Sequence, residues 1–370
     1  MLAGLFPELN SPGGIQKAGQ HLAAVLAEFA ASRGMEYRFL SLNDPPELQR
    51  LSAGGQEFVF TGCQHNKARF AATALRTALR GVKLILAVHP NLAPVAWMMK
   101  LLAPHARMIV CSHGIEVWDR LPVWRRRSLL HADLVLAPSQ DTANHLVVRQ
   151  GVPRDRIRVL PWALDPQFEE LLGAARPGSL PLSFPTGRVI LAVGRLSSRE
   201  RYKGVDHLIA AMPRLLTRWP NLHLAVVGDG DDRPRLQNLA TEHGVRWHVH
   251  FLSGVSPAGL AACYARCDLF ALPSSGEGFG IVYLEAMASG KPVIGGAHGG
   301  APEVIEDGVT GYVVPQGDVA QIVAAVDTLL SNPDLAREMG FAGRALVQRD
   351  FRFSSFSKSF RAILQEQCES

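Results

Sequence analysis

The 370-residue sequence is short of cysteine, of long apolar runs and of several familiar catalytic motifs, and each shortage removes a class of protein. Five cysteines, at 63, 111, 263, 267 and 368, are too few and too scattered for a disulfide framework. Cys263 and Cys267 stand one helical turn apart, but no second pair completes a zinc site, so core filling is their expected role. No apolar run approaches the ~20 residues that a membrane-spanning helix needs. The longest, Leu92 to Ala103, is interrupted by Pro94 and Lys100. Met1 to Leu9 lacks a basic start and meets Pro7 and Glu8 at once, unlike a signal peptide. No Walker A lysine loop and no Gly-x-Ser-x-Gly elbow occur. The expectation is a soluble protein of a reducing cytoplasm.

The composition is that of a globular chain, 47% hydrophobic and 19% charged, too long for one ordinary core. Charge is unevenly spread. Residues 1–165 hold 19 Lys+Arg against 12 Asp+Glu, and residues 166–370 hold 19 against 21. A basic first half suits anionic lipid, an acidic glycan or nucleic acid; an ordinary solvated surface fits the same numbers.

Short apolar runs alternate with amphipathic stretches. Strands are expected at Leu2–Phe6, Phe58–Thr61, Leu84–Val88, Met108–Ser112 and Leu134–Pro138, then at Val189–Val193, Leu222–Val227, Val249–Leu252, Leu269–Leu272 and Pro292–Ile294. Helical spacing falls near 15–32, 67–80, 92–103 and 140–150, then 205–218, 233–243, 257–265 and 280–289. Such alternation implies parallel βαβ units and doubly wound α/β domains. The opening strand is unusually abbreviated. Gly173 to Pro181, rich in Gly and Pro, reads as a linker or exposed loop between the halves. From Phe353 onward the apolar spacing fits a last amphipathic helix.

Several segments place chemistry at strand ends, where α/β sheets bind ligands. Ser11-Pro12-Gly13-Gly14 precedes a helix, so paired glycines and a helix N-terminus would face an anion; a tight turn explains the same residues. Arg195 ends one strand and Lys203 precedes the next helix, two cations that match an esterified diphosphate or simply decorate a surface. Glu277 sits in a Gly-rich loop and Glu285 on the helix that follows, two carboxylates suited to sugar hydroxyls. His113 closes a first-half strand, as a hydrogen-bonding or acid–base group or as a structural ring. Asp229-Gly230-Asp231 offers a metal-binding pattern, yet its place between strand and helix favours a turn.

Taken together, Arg195, Lys203 and Glu277-x7-Glu285 resemble the signature of retaining glycosyltransferases of family 4, among them bacterial exopolysaccharide and phosphatidylinositol mannosyltransferases. The likeness continues in Gly13-Gly14, His113-Gly114, Ala137-Pro138-Ser139, Gly290 to Ile294, Gly299 to Glu303 and Asp307 to Gly311. It departs from the family at Pro161-Trp162-Ala163-Leu164-Asp165, where Pro-Asn-Gly-x-Asp is frequent.

The resemblance implies a GT-B fold of two Rossmann-like domains facing a cleft. The expected division is an acceptor-side domain at 1–168, a donor domain at 169–350 and a C-terminal helix at 351–370 packing back on the first. It implies catalytic roles for His113, Arg195, Lys203 and Glu277. Donor binding would fall to Gly13, Gly14, Gly228, Leu252, Val255, Gly278, Phe279, Gly280, Ile281 and Glu285, without metal or cofactor. The implied reaction moves a hexose from a UDP- or GDP-sugar to a glycan or lipid-linked acceptor of surface polysaccharide or glycolipid synthesis. The segment Ser197 to Gly204 tilts the donor towards GDP-mannose. A silent sugar-nucleotide or glycan-binding protein and a nucleotide-sugar epimerase are the alternatives. Nucleic acid is not an expected partner. Trp118, Trp124 and Arg125-Arg126-Arg127 suggest peripheral contact with an anionic membrane at its inner face.

Overall fold

A computed structural model describes residues 1–11 and 13–369, with Pro177 described by its backbone alone. Pro12, in the glycine loop, and Ser370, at the end of the expected C-terminal helix, lie outside the described residues. The chain divides into two compact units, Met1–Pro166 together with the chain from Arg352 onward, and Gln167–Phe351.

The first unit runs β1 (Leu2–Phe6), α1 (Gly14–Ser32), β2 (Tyr37–Ser41), β3 (Leu48–Ala53), β4 (Gln56–Gly62) and α2 (Lys67–Ala78). It continues with β5 (Leu84–Ala87), α3 (Ala93–Leu102), β6 (Arg107–Cys111), α4 (Val123–Leu130), β7 (Leu134–Ala137), α5 (Gln140–His145) and β8 (Ile157–Val159). These strands form one sheet in the order β3-β4-β2-β1-β5-β6-β7-β8, parallel throughout except for the β3–β4 pair. β1, β5 and β7 are buried along their whole length, as parallel strands covered on both faces must be. Far from vestigial, β1 pairs along its length with β2 on one side and with β5 on the other.

The second unit follows as α6 (Pro166–Gly173), β9 (Arg188–Val193), α7 (Val205–Arg218), β10 (Leu222–Val227), α8 (Arg233–Glu242), β11 (Val249–Leu252) and α9 (Pro257–Arg266). Then come β12 (Leu269–Leu272), α10 (Ile281–Ala288), β13 (Val293–Gly296), α11 (Ala301–Val304), β14 (Gly311–Val314), α12 (Val319–Ser331) and α13 (Pro333–Asp350). Its six parallel strands take the order β11-β10-β9-β12-β13-β14, the dinucleotide-fold arrangement whose direction reverses between β9 and β12. The last helix, α14 (Phe353–Glu369), returns to the first unit and lies on α1. Phe356, Phe360 and Leu364 bury its apolar stripe, and Arg361 pairs with Glu28 of α1.

Three expectations are corrected. The Gly- and Pro-rich segment 173–181 is no link between the units. It lies wholly inside the second, where a short 3₁₀ turn at Pro177–Ser179 packs on α9. The helix expected over 140–150 is α-helical only to His145 and widens to a π-type turn over Leu146–Gln150. The Gln150 side chain, buried there, bonds the carbonyls of Val117 and Asp119 and accepts from the Leu121 N–H. The tryptophan–arginine cluster is split between packing and surface, as described below.

Candidate active site

In the second unit the sequence places its charges where the strand order reverses. β9 runs out at Val193, and Gly194-Arg195 follow it; β12 runs out at Leu272, and the loop to α10 carries Glu277. The two loops are held together through their backbones. Ser275 N donates to Tyr202 O at 2.7 Å, and a Cβ on Gly204 would fall 2.6 Å from Pro273 O. Gly204 has φ +74°, so glycine serves both the turn and the close approach.

Arg195 and Lys203 meet on a residue that carries no assignment from sequence, Glu200. Arg195 Nη2 lies 2.5 Å from Glu200 Oε1 and Lys203 Nζ 3.1 Å from Oε2. The second contact is an ion pair whose angle leaves Oε2 short of a hydrogen bond. Lys203 crosses Gly194, where a Cβ would meet its ammonium at 3.2 Å. The two cations differ in setting: the Arg195 side chain is 71% exposed, and that of Lys203 only 16%.

Glu277 is half-buried, with its carboxyl turned inward. Burial pushes its carboxyl above the usual range and Glu200 pushes it further up, against Lys203, a hydrogen bond from Ser274 and Arg195, which pull it down. Its Oε1 is buried and finds no hydrogen-bond donor among the described residues. The loop around it is clasped by β13 and the turn beyond. A Cβ on Gly296 would sit 1.7 Å from Ser274 O, one on Gly299 2.3 Å from Glu277 O, and one on Gly300 2.6 Å from Gly278 O. The glycines of 296–300 thus set the position of Glu277 through main-chain contact.

α10 begins after Gly280, whose φ of +95° makes a left-handed N-cap; Tyr283 N donates to Gly280 O, so the helix's own bonding starts there and leaves the amides of Ile281 and Val282 at its open end. Gly278 is buried there, and the Phe279 ring turns into the core against Phe351. Glu285 accepts a hydrogen bond from Tyr264 Oη at 2.8 Å. That partner lies 21 residues away on α9, and nothing in the sequence pattern pairs them.

Beside β9, Gly228 N donates to Leu252 O, and a Cβ on Gly228 would strike Gly194 O at 2.0 Å. Leu252 is buried, so it takes part through its carbonyl, while Val255 is half-buried beyond it. Asp231 takes both the amide and the hydroxyl of Ser198, at 2.9 and 2.5 Å, and Asp229 faces Arg233 at 3.8 Å. Both carboxylates of the Asp-x-Asp pattern are occupied with the turn. Among the described residues no group of three or more His, Cys, Asp or Glu is arranged to hold a metal ion.

The first unit builds its carboxyl edge from rings. His113 follows β6, only 9% exposed, and its Nε2 lies 2.8 Å from Val88 O. A carbonyl only accepts, so Nε2 carries the hydrogen. In the neutral ring Nδ1 is then an acceptor, buried and unpartnered among the described residues. The Trp162 ring lies 5.4 Å from His113 and the His89 ring 5.9 Å. His89 follows β5, on one side of the point where the first sheet reverses between β1 and β5. Burial drives its pKa down to about 4, so it is uncharged at neutral pH. His89 was missed from sequence; its place directly after a buried strand was the available signal. Gly13 and Gly14 stand exposed at the start of α1, with Gly13 as an N-cap that offers no side chain.

The tryptophan–arginine cluster does not act as one surface. Trp118 packs against the core, Arg125 Nη1 donates to Asn91 Oδ1 and Arg126 Nε to Gln150 O, which leaves Trp124 and Arg127 exposed.

Two family models account for most of the chain: Glycosyltransferase Family 4 over residues 13–168 and Glycosyl transferases group 1 over residues 181–346. A "GDP-mannose-dependent alpha-(1-6)-phosphatidylinositol monomannoside mannosyltransferase" of Mycolicibacterium smegmatis is 39% identical, with 64% of each chain matched. The protein of that name from Mycobacterium tuberculosis is 36% identical over 74% of each chain. Among solved structures, sucrose-phosphate synthase from Thermosynechococcus elongatus superposes with a TM-score of 0.77 at 21% identity, covering 98% of both chains. Anabaena HepE in complex with UDP-glucose gives 0.74 at 20% identity, covering 99% of this chain and all of that one. The chain belongs to the family 4 glycosyltransferases and has their GT-B fold.

Proposed function

We propose that the protein is a retaining hexosyltransferase that uses a nucleotide diphosphate sugar and needs no divalent metal. The observation that carries this reading is the group Arg195, Lys203 and Glu277 at the strand reversal of the second sheet. Lys203, with its ammonium mostly withdrawn from water, would neutralise the diphosphate as it gains charge on leaving. Arg195 would assist from the solvent side. The buried Oε1 of Glu277, an acceptor without a donor, would take a hydroxyl of the donor sugar. Glu285, braced by Tyr264, would take the ribose, and the amides at the start of α10 would lie near the phosphates. His113 would accept a sugar hydroxyl at Nδ1.

GDP-mannose is the favoured donor, since two relatives are named for it, and a lipid-linked or glycan acceptor follows from the same names. A panel of nucleotide sugars, scored first by thermal stabilisation and then by turnover, tests the reading. GDP-mannose should raise the melting temperature most and turn over in excess chelator. Complete, metal-reversible inhibition by chelator would sink the metal-free mechanism. Epimerised product would favour the epimerase instead.

The membrane reading moves with the structure. Six of the fourteen large apolar side chains exposed among the described residues sit on or beside α2, α3 and α4, namely Leu79, Met98, Leu101, Leu102, Val123 and Trp124. Arg127 is exposed on α4, and no described helix is long and apolar enough to cross a bilayer. In this reading that helical layer rests on an anionic lipid surface. Leu101→Ser and Arg127→Gln should each reduce sedimentation with anionic vesicles at low salt; unchanged sedimentation of both would end it.

A further inference from the structure

Glu200 occupies the place that the proposed function gives to the donor's phosphates. Its carboxylate stands between the two cations, it is 10% exposed, and Glu277 lies close enough for the two carboxylates to repel. With all four ionised, Arg195, Lys203, Glu200 and Glu277 sum to no net charge. An incoming diphosphate therefore meets a neutral site while Glu200 remains, and a site with one surplus positive charge once Glu200 has turned away. Lys203 follows Glu200 by three residues on the short 3₁₀ turn Arg201–Lys203, so a carboxylate that has turned away remains near enough to return.

We infer that Glu200 is a built-in counter-anion of the phosphate site: it holds Arg195 and Lys203 in place while the site is empty, yields them to the diphosphate, and reclaims them to expel the spent nucleotide. This rests on the transferase reading above. The direction of the effect comes from charge. A nucleotide sugar carries two negative charges on its diphosphate; the nucleoside diphosphate left after transfer gains a terminal phosphate oxygen that ionises near pH 6, hence close to three. A fixed carboxylate disfavours the product more than the donor. Glu200 would thus discriminate between the two ends of the reaction, and it need not touch the reacting atoms. It is a positioning residue.

The experiment compares the full chain with Glu200→Gln and Glu200→Asp, measuring Kd for GDP, UDP and their hexose conjugates at two ionic strengths, with melting as the fold control. Glu200→Gln should bind the nucleoside diphosphate about tenfold more tightly and the nucleotide sugar about threefold, a difference that added salt shrinks. Product inhibition should deepen and steady-state turnover fall. Glu200→Asp, which keeps the charge, should restore the wild-type ratio of the two affinities. Weaker nucleoside diphosphate binding by Glu200→Gln would overturn the inference, since Glu200 would then merely brace the cations. Equal tightening for donor and product would overturn it as well. If the wild type binds no nucleotide at all, the transferase reading falls and this inference with it; normal wild-type binding with an unaltered Glu200→Gln sinks the inference alone.

Discussion

The two carboxyl edges of this protein solve different problems. The second sheet ends in formal charges, two cations and two carboxylates, on loops locked to one another by main-chain contacts that only glycine permits. The first ends in the rings of His89, His113 and Trp162, one of them held uncharged by burial, beside a glycine turn that stands exposed. Charge fixed by backbone suits a ligand part that never varies, such as a diphosphate. The first edge relies instead on ring packing.

The largest effect should come from the charged edge. Lys203→Ala should slow transfer by about 3–4 kcal/mol in barrier height, and Arg195→Ala by less, because the arginine is open to water. Melting should change little in either. Equal losses in steady-state kinetics would erase the distinction between a desolvated and a solvated cation. Next comes the glycine lock. Gly228→Ala sets a methyl against Gly194 O and should cost about 2–4 kcal/mol of stability by denaturant titration. Gly13→Ala meets only the flexible end of Gln16 and should cost about 1 kcal/mol. A reversed order would mean that the first edge is the rigid one.

His113→Ala tests the ring edge and should lower both properties. The ring is buried and bonded to Val88 O, so its removal should cost about 1–3 kcal/mol of stability alongside the loss of transfer. The smallest effect belongs to Asp165. Burial alone would raise its carboxyl, but the His21 ring at 3.9 Å and the Lys17 ammonium at 2.6 Å hold it well below the usual carboxylate range. A depressed folded pKa stabilises above the unfolded value, near 4, and loses that contribution as pH falls through the folded one. Asp165→Asn should therefore cost about 1 kcal/mol at pH 7, discounted because Lys17 is partly exposed, and progressively less below about pH 4. A penalty that grew on acidification would contradict this.

Legibility in the sequence followed burial. β10, β11 and β12 match their sequence-derived bounds to the residue: β12 is buried along its length and leaves an unbroken apolar run, and β10 and β11 are each interrupted by a single histidine. β3, with polar and exposed positions, and the three-residue β8 left no such run and escaped notice. The same holds for the site. Arg195, Lys203 and Glu277 could be picked out because a charge at the end of an apolar strand is conspicuous. Glu200 could not, since its part depends on which way a turn faces. Tyr264 owes its place beside Glu285 to helix packing, which no local pattern encodes.

The helix α14 makes the first unit discontinuous, with the whole of the second unit inserted between its body and its final element. Domains made on the ribosome ordinarily close in order of synthesis, the earliest first. Here the order is inverted. The second unit has all its strands and helices by Asp350, whereas α1 keeps its α14-facing surface uncovered until Phe356, Phe360 and Leu364 have been made. The unit begun first is the one finished last. A chain ended just after Phe351 and released would therefore carry a closed second unit and a first unit still open along α1.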